Sequence, residues 1–585
     1  MFKGIVFFIK NGWKYDKKYI LWRVLFQLVN SMIPIVATIM PKLIIDELLG
    51  EKNISKLVCE VLILVGYIAT ASALSEYFSW DGFTRRCRVA AEFDSDLHKR
   101  LANADFEMLE NPDYLDMQEK ARKFLYCDWH GFGYLLDCAM NALGQIFTLV
   151  GIATIIITVD IRMLLLFVAL IIIGSLIEKR AKNKAISLSQ ETSKDQRGWM
   201  YYASLFGEQS FAKEIRLNSM GQWLLDRERG YFTKINDNQK KQNNEFILSG
   251  VLGAVFTFIQ QGIAYAYLIY CVIGKTITIG SFTMYASAVT SFATAFRKAL
   301  DSIIEIKAYD SYYDKLDEYL KLPCTMREGK RLIDIGDCYT IEFENVSFKY
   351  SGSDNYALKN VNIKIPFGQK LSIVGENGAG KTTFIKLLTR MYIPTEGRIL
   401  LNGVDISEYD YDQYMSLLSS VFQDYKLFSF SVLDNVALAQ RADERRAEAI
   451  LEYVGFGEKL QQLPNGLYTS MYKNFDEEGF EPSGGEGQKI ALARALYKDS
   501  PIVILDEPTA AMDPKAEFEM YQKFNEMVQG KTAIYISHRL SSAKFCDVIA
   551  VFSQGKIAEY GTHEELIGKN GIYNELFTMQ SQFYV

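Results

Sequence analysis

The chain has 585 residues, of which 49% are hydrophobic and 23% are charged, and its net charge is −6. This length predicts several domains, and the composition excludes disordered, collagen-like and small disulfide-rich chains. The small negative charge argues against nucleic acid as a partner, because a nucleic-acid-binding face is basic. The eight cysteines show no C-x-x-C spacing, which predicts thiols without a disulfide framework or a zinc site.

The first half of the chain carries apolar runs long enough to cross a membrane, since a spanning helix takes about 20 mostly apolar residues. We predict six spans, at about residues 19–44, 57–78, 133–159, 163–177, 246–273 and 282–300. Residues 1–18 are basic and aromatic, which predicts an amphipathic helix on the inner membrane surface rather than a cleaved signal peptide.

Positive charge is concentrated in alternate loops, which predicts that both termini lie in the cytoplasm. Two long inward stretches, residues 79–130 and 178–244, are charged and contain few glycines or prolines. We therefore expect the spans to continue as long helices beyond the bilayer, with short transverse helices at Glu107–Tyr114 and Phe211–Leu217.

Several polar side chains fall inside the predicted spans. They are Gln27, Asn30, Asp137, Asn141, Gln145, Gln260 and Gln261. Polar groups in a membrane indicate either a substrate pathway or hydrogen bonds between helices, and the pattern favours the second.

After residue 340 the pattern changes to short apolar strands. A strand over Lys370–Val374 leads into Gly375–Thr382, which fits G-x-x-x-x-G-K-[ST], and a helix is predicted at Thr383–Arg390. Glycines let backbone amides surround phosphates at the start of a helix. Lys381 then supplies a positive charge to the phosphates, and the Thr382 hydroxyl is a ligand for magnesium.

A second strand, Ile502–Leu505, ends in Asp506 and Glu507. A carboxylate at the end of an apolar strand is what a magnesium site in a phosphate-loop enzyme requires. The neighbouring Glu507 is placed to orient or deprotonate a water molecule.

Together these features resemble a half-size ATP-binding cassette (ABC) exporter, and the resemblance covers essentially the whole chain. It implies a multidomain membrane protein with an all-α six-helix transmembrane domain at 19–320, which has long cytoplasmic extensions. A linker at 321–339 and an α/β phosphate-loop cassette domain at 340–585 follow. The implied location is the bacterial plasma membrane, with the cassette in the cytoplasm.

The resemblance also implies ATP and Mg²⁺ as cofactors, and it assigns roles to named residues. Tyr350 would stack on adenine, and Ser483 and Gly485 of the signature would contact ATP held by a second chain. The implied ATP-binding set is Tyr350, Gly375, Asn377, Gly378, Gly380, Lys381, Thr382, Thr383, Ser483, Gly485 and Asp513. The implied catalytic set is Glu507, His538 and Gln423, and the implied magnesium set is Thr382, Gln423 and Asp506.

Two positions depart from the family pattern, since Pro482 and Glu486 stand where leucine and glutamine are usual. Glu486 places a negative charge near the second chain's ATP, which would weaken contact with the nucleotide. Because Glu507 and His538 are present, we still expect hydrolysis.

The expected function is ATP-driven export of an amphipathic substrate (a peptide, drug or lipid) through membrane lipid by alternating access. The sequences of residues 213–217 and 482–488, taken together, resemble those of exporters of bacterial peptides and lantibiotics. The partner is a second copy of the chain or a related half-transporter, so one alternative is half of a heterodimer. Another alternative is a non-pumping regulator gated by ATP.

Overall fold

A computed structural model describes residues 3–127, 130–158, 169, 172–174, 180, 184, 188, 193–208, 211–334, 338–507, 522–526, 528–536 and 540–582. The chain divides into two compact units. The first unit comprises Met1–Arg100 and Leu115–Lys321, and the second comprises Leu101–Tyr114 and Leu322–Val585. The division therefore differs from the predicted contiguous domains, because a short segment of the predicted transmembrane domain packs with the cassette.

The first unit is built from helices. They are Lys3–Tyr15, Lys17–Leu49, Ile54–Asn103 (whose last residues enter the second unit), Pro112–Tyr126, Tyr134–Ile157, Ser193–Gly207, Ala212–Leu217, Gly221–Ile273, Ile279–Asp310 and Tyr313–Leu320. Within the described residues, four helices are long and apolar enough to cross a membrane: Lys17–Leu49, Ile54–Asn103, Tyr134–Ile157 and Gly221–Ile273.

Two predicted spans belong to much longer helices, as expected. Ile54–Asn103 has 50 residues and Gly221–Ile273 has 53, so both helices continue well beyond their apolar stretches. The predicted sixth span lies within Ile279–Asp310. The predicted span at 163–177 falls almost entirely outside the described residues.

The first predicted transverse helix is shifted. The structure has a short helix at Phe106–Glu110, and a separate helix begins at Pro112. The prediction of one helix over Glu107–Tyr114 was therefore wrong in its bounds, because proline at a first helical position starts a new helix. The second transverse helix, Ala212–Leu217, lies where it was predicted.

Polar residues of the predicted spans make contacts between helices. Asn141 Nδ2 donates to Ser302 Oγ at 3.1 Å. Asp137 pairs with Arg23 at 3.1 Å and with Arg86 at 3.2 Å. These contacts favour the packing interpretation for Asn141 and Asp137, because a polar group in an apolar setting is stabilised by a partner.

The described residues of the second unit form ten strands. They are β1 (Ile341–Phe348), β2 (Leu358–Ile365), β3 (Lys370–Gly375), β4 (Glu396–Leu401), β5 (Val404–Asp405), β6 (Leu418–Val421), β7 (Ile502–Asp506), β8 (Thr532–Ile536), β9 (Val548–Ser553) and β10 (Lys556–Gly561). One sheet has the order β2-β1-β4-β5 and is antiparallel. The other has the order β10-β9-β3-β8-β7-β6, and its strands from β9 to β6 are parallel. Every residue of β7 and β8 is buried, as is typical of parallel strands covered on both faces.

The described helices of this unit pack in several hydrophobic clusters, some of which they share with one another and with the sheets. They are Phe106–Glu110, Lys381–Leu388, Tyr411–Ser416, Val432–Ala437, Glu444–Tyr453, Gly457–Gln462, Gly484–Lys498, His563–Gly568 and Ile572–Ser581. Phe384 of Lys381–Leu388 stacks on Phe343 of β1 at 4.2 Å, in the cluster between the two sheets. Ile490 of Gly484–Lys498 instead packs with Val432 and Leu451. Leu492 and Leu496 of the same helix pack with Leu505 of β7, so the helix after the signature also contacts the parallel sheet.

Candidate functional site

The parallel sheet brings four strand ends to one edge. Strands β3, β6, β7 and β8 are parallel, and Asp506 pairs with Ile536 in their register. The segments that follow these ends contain Gly375–Thr382, Gln423, Glu507 and, beyond β8, His538. Ligands of open parallel sheets bind at this carboxyl edge.

The loop after β3 is packed on one side and open on the other. A Cβ added to Gly375, whose φ is +148°, would lie 2.2 Å from the backbone oxygen of Phe552. At Gly378, with φ +79°, no described atom lies within 4 Å of such a Cβ. The loop ends at Gly380, and the next helix begins at Lys381, so the first amides of that helix have no carbonyl partner within the helix. This arrangement suits an anion such as phosphate.

Lys381 is the positive charge of this loop, and its side chain is buried. Its Nζ donates to the backbone oxygens of Gly375 at 2.8 Å and Glu376 at 2.9 Å. Burial lowers the pKa of Lys381, while the charges of Glu507 and Asp506 act to raise it. An incoming phosphate would offer this ammonium group a stronger partner than two neutral carbonyls.

Asp506 is a buried carboxylate at the carboxyl edge of the parallel sheet, with only 1% of its surface exposed. Burial, and then the neighbouring charge of Glu507, raise the pKa of Asp506 to about 6, while Thr382 and Lys381 act to lower it. Neither carboxylate oxygen meets a donor in hydrogen-bond geometry among the described residues. A buried carboxylate without such a partner is costly, and a divalent cation would compensate it.

The donor set at Asp506 fits a cation that takes most of its ligands from outside the protein. In the described ranges no group of three or more His, Cys, Asp or Glu side chains forms a metal site by itself. Asp506 and the nearby Thr382 hydroxyl are oxygen ligands, and magnesium is commonly held by one or two such groups together with substrate phosphates.

Gln423 and Glu507 are brought together although 84 residues separate them. Gln423 Nε2 donates to Glu507 Oε2 at 2.8 Å. Glu507 has φ +50°, an uncommon conformation for a residue other than glycine, and its amide donates to the oxygen of Ile536 at 3.0 Å. Such backbone strain is often found at functional sites.

Tyr350 lies beside the helix that follows the phosphate loop. Its hydroxyl is 3.0 Å from Thr383 Oγ1. Its ring packs edge-on against Phe348 at 5.0 Å and Tyr392 at 5.3 Å. An aromatic ring held in this way is available to stack on a nucleotide base.

The signature segment begins the helix Gly484–Lys498. Ser483 and Glu486 form a capping box, in which the Ser483 amide donates to Glu486 Oε2 at 2.8 Å. Glu486 also pairs with Lys459 at 3.4 Å. Although burial acts to raise the pKa of Glu486, the hydrogen bonds from Ser483 and the pairing with Lys459 hold it below its usual value. The negative charge that departs from the family pattern is thus partly compensated within its own chain.

The structure thus gathers the segment Gly375–Thr383, which includes Asn377, with Gln423, Asp506 and Glu507, and it places Tyr350 alongside. Asp513 and His538 lie outside the described residues. Sequence analysis missed Tyr425, whose hydroxyl donates to the Gly484 oxygen at 3.1 Å and joins the Gln423 loop to the signature helix. The only available signal was its position two residues after Gln423.

Comparisons with known proteins agree with this geometry. Residues 358–510 match the family model described as ABC transporter. The chain is 27% identical to the subtilin transport ATP-binding protein SpaT of Bacillus subtilis, over 94% of this chain and 90% of that protein. It is 31% identical to the ATP-dependent lipid A-core flippase of Burkholderia orbicola, over 63% of this chain and 62% of that protein. A bacterial Atm1-family ABC exporter solved with ATP bound superposes with a TM-score of 0.79 at 21% identity, covering 96% of this chain and 98% of that chain.

Residues 358–510 therefore belong to the ABC transporter family, and the chain has the layout of a half-size ABC exporter, with a helical membrane domain followed by one ATP-binding cassette. It is an integral membrane protein and an ATPase whose activity is coupled to transport. Its match to the lipid A-core flippase extends over less than two thirds of that protein, whereas its match to SpaT extends over nearly all of both chains.

Proposed function

We propose that the chain is an exporter of an amphipathic peptide, driven by ATP hydrolysis in a homodimer. The observation that carries this proposal is the alignment with SpaT, which covers 94% of the chain and so includes the membrane helices as well as the cassette. Substrate contacts in exporters come from the membrane helices, so similarity there bears on substrate more than similarity within the cassette.

At the ATP site, the open side of the Gly375–Thr382 loop would hold the phosphates, and Lys381 would turn from its two carbonyls to them. Mg²⁺, held by Thr382 and Asp506, would neutralise phosphate charge. The Gln423–Glu507 pair would position the attacking water, with Glu507 as general base. The roles of Asp513 and His538 rest on the family resemblance.

The second half of each ATP site would come from the other chain. The signature helix packs against neighbouring helices and the parallel sheet, and its first amides carry the partial positive charge of a helix start. Ser483 and Gly485 would present those amides to ATP bound by the partner. A related half-transporter in place of a second copy is the main alternative, and a regulator without pumping is a more distant one.

ATP binding would drive alternating access by favouring the state in which the two cassettes are closed. The helices Ile54–Asn103 and Gly221–Ile273 are long enough to carry this change from the transverse helices to the membrane. Positive charge in alternate loops supports a cytoplasmic location for the cassette and both termini.

The first test is magnesium-dependent ATP hydrolysis by this chain alone in lipid nanodiscs, beside its Glu507→Gln variant. Activity that is lost in the variant supports a homodimer with working sites. Absence of activity in the unmodified chain would contradict the homodimer and move the heterodimer to first place.

A second test distinguishes a peptide from a lipid as substrate, since the similarity to lipid A-core flippases favours lipid as the second candidate. Inside-out proteoliposomes would be supplied with ATP and either fluorescent subtilin or a fluorescent phospholipid. ATP-dependent peptide uptake that Glu507→Gln abolishes supports the proposal. Lipid translocation without peptide uptake would overturn it.

A further inference from the structure

The segment Leu101–Tyr114 lies between two parts of the helical unit in the sequence, but it packs within the unit that contains the cassette. Its start is fixed by Asp105, which is buried and accepts hydrogen bonds from the amides of Thr325 and Met326 at 3.0 Å each. The Asp105 amide in turn donates to the oxygen of Pro323 at 3.0 Å. The short helix Phe106–Glu110 is therefore held in a defined position rather than resting loosely on the surface.

The far end of that helix carries Glu110, which contacts two residues near the phosphate-loop helix. Its carboxylate accepts a hydrogen bond from the hydroxyl of Tyr392. It also pairs with Lys386 Nζ at 3.3 Å. The Tyr392 side chain is buried, whereas the Glu110 side chain is 44% exposed, so the carboxylate gives the hydroxyl of a buried tyrosine its partner at the edge of the packed region.

Both partners of Glu110 lie against Tyr350, the tyrosine placed to stack on adenine. The rings of Tyr392 and Tyr350 are 5.3 Å apart and nearly perpendicular, at 86°. The ammonium of Lys386 lies 5.7 Å from the centre of the Tyr350 ring and 5.4 Å from that of Tyr392. Tyr350 itself reaches Thr383, two residues beyond Lys381.

From this chain of contacts we infer that Glu110 is a positioning residue for the adenine base: through Tyr392 and Lys386 it sets the orientation of the Tyr350 ring. The inference rests on the proposed ATP site and deepens it, because it assigns control of base binding to a residue from the membrane domain's chain. Glu110 also keeps the ammonium of Lys386 paired, whereas an unpaired ammonium is attracted to the face of an aromatic ring. Loss of Glu110 would therefore disturb the surface on which the base stacks.

The test compares Glu110→Gln with Glu107→Gln, a matched control on the same helix. Glu107 makes no hydrogen bond or ion pair that joins it to the described residues of the cassette. In nanodiscs, we expect Glu110→Gln to raise the KM for ATP by about 3- to 10-fold, the scale of one lost charged hydrogen bond, with kcat nearly unchanged. Glu107→Gln should leave both constants unchanged.

Inorganic tripolyphosphate separates an effect on the base from an effect on the phosphates or the fold. It carries no base, so its inhibition constant should be the same in Glu110→Gln and the unmodified chain. An inhibition constant that rises together with the KM for ATP would overturn the inference. In a Tyr350→Ala background, Glu110→Gln should have no further effect on ATP binding, because contacting residues are energetically coupled.

Binding of a fluorescent ATP analogue to the Glu507→Gln form, with and without Glu110→Gln, measures the same effect without hydrolysis. Weaker binding with Glu110→Gln, but not with Glu107→Gln, supports the inference. Equal binding by all these forms would overturn it while leaving the ATP site intact. Failure of the unmodified chain to bind nucleotide would contradict the proposed function itself, and the inference with it.

Discussion

The two glycine-containing segments of the cassette, Gly375–Thr382 and Ser483–Gly485, differ in how their charges are satisfied. At the first, Lys381 is buried against neutral carbonyls, and the nearby Asp506 has no hydrogen-bond donor in the described structure. At the second, Ser483 and Glu486 cap the helix reciprocally, and Lys459 pairs with Glu486. The first segment thus has charged groups that a charged ligand would stabilise. The second segment has its helix cap and its charge satisfied within the chain, so it would add contacts to a ligand that is bound mainly by other residues.

Replacing one glycine of each segment by alanine should give the largest difference in the free energy of unfolding between the two segments. Gly375→Ala should destabilise the cassette by on the order of 3 kcal/mol, because the new Cβ would lie 2.2 Å from the backbone oxygen of Phe552. Gly485→Ala has open space around its Cβ and should leave the unfolding free energy unchanged while lowering ATP hydrolysis. Denaturant unfolding in detergent measures the first effect, and equal losses of stability in both variants would contradict the contrast.

Asp506→Asn tests whether the Asp506 carboxylate, at the carboxyl edge of the parallel sheet, is an uncompensated charge in the nucleotide-free protein. The pKa of Asp506 is raised to about 6 in the folded chain from an ordinary 3.8, so the folded state holds its proton more tightly than the unfolded state does. The carboxyl therefore lowers stability progressively as pH rises between those two values, and the penalty is complete above pH of about 7. Removing the charge should raise the unfolding free energy of the nucleotide-free protein by about 2 kcal/mol at neutral pH.

The same variant should lose its stability advantage as the pH is lowered to about 3, below both pKa values, where the unmodified carboxyl is mostly protonated in both states. Magnesium-dependent hydrolysis should be lost at every pH. Thermal or denaturant unfolding in EDTA across this range provides the measurement. A variant less stable than the unmodified chain at neutral pH would show that Asp506 is already compensated.

Ser483→Ala should cost less, because it removes one helix cap from a segment that is otherwise satisfied. The Ser483 hydroxyl accepts from the Glu486 amide at 3.4 Å, and losing a cap of this kind typically costs about 1 kcal/mol. Ser483→Asp keeps a capping oxygen and serves as the control for fold stability. Unfolding curves that separate the two variants would confirm the capping role.

The Lys459–Glu486 pair is expected to have the smallest effect on stability, since both side chains are partly exposed. Lys459→Met should change the unfolding free energy by less than about 1 kcal/mol. It should nevertheless reduce ATP hydrolysis, since it leaves the Glu486 charge uncompensated near the partner's nucleotide. Combining it with Glu486→Gln should restore the activity, and a double variant as impaired as Lys459→Met alone would argue against this account.

Much of the fold and site was predictable because the signals are local. The spacing of Gly375, Gly380 and Lys381 located the phosphate loop, and the apolar run before Asp506 located its strand. Long apolar stretches located helices that the structure contains at Lys17–Leu49, Ile54–Asn103, Tyr134–Ile157 and Gly221–Ile273. Each of these signals lies within a single stretch of chain, so no partner from elsewhere is needed to recognise it.

Other features depended on residues far apart in the sequence. Glu110 and Tyr392 are separated by 282 positions, and nothing in either local pattern indicates that they touch. The bounds of the first transverse helix were also missed, since Pro112 divides a segment whose polar character is uniform. The compensation of Glu486 by Lys459 likewise appears only once the two helices that carry them are packed.

The amino-acid sequence by itself indicated the class of protein and the residues that we propose to bind phosphate, because backbone geometry and charge at a motif are set by adjacent residues. The tertiary structure decided how each charge is paired: among the described residues Asp506 is buried without a hydrogen-bond donor, Glu486 pairs with Lys459, and Glu110 is joined to Tyr392. Burial and pairing set the free energy of a charge, and both are properties of the packed chain.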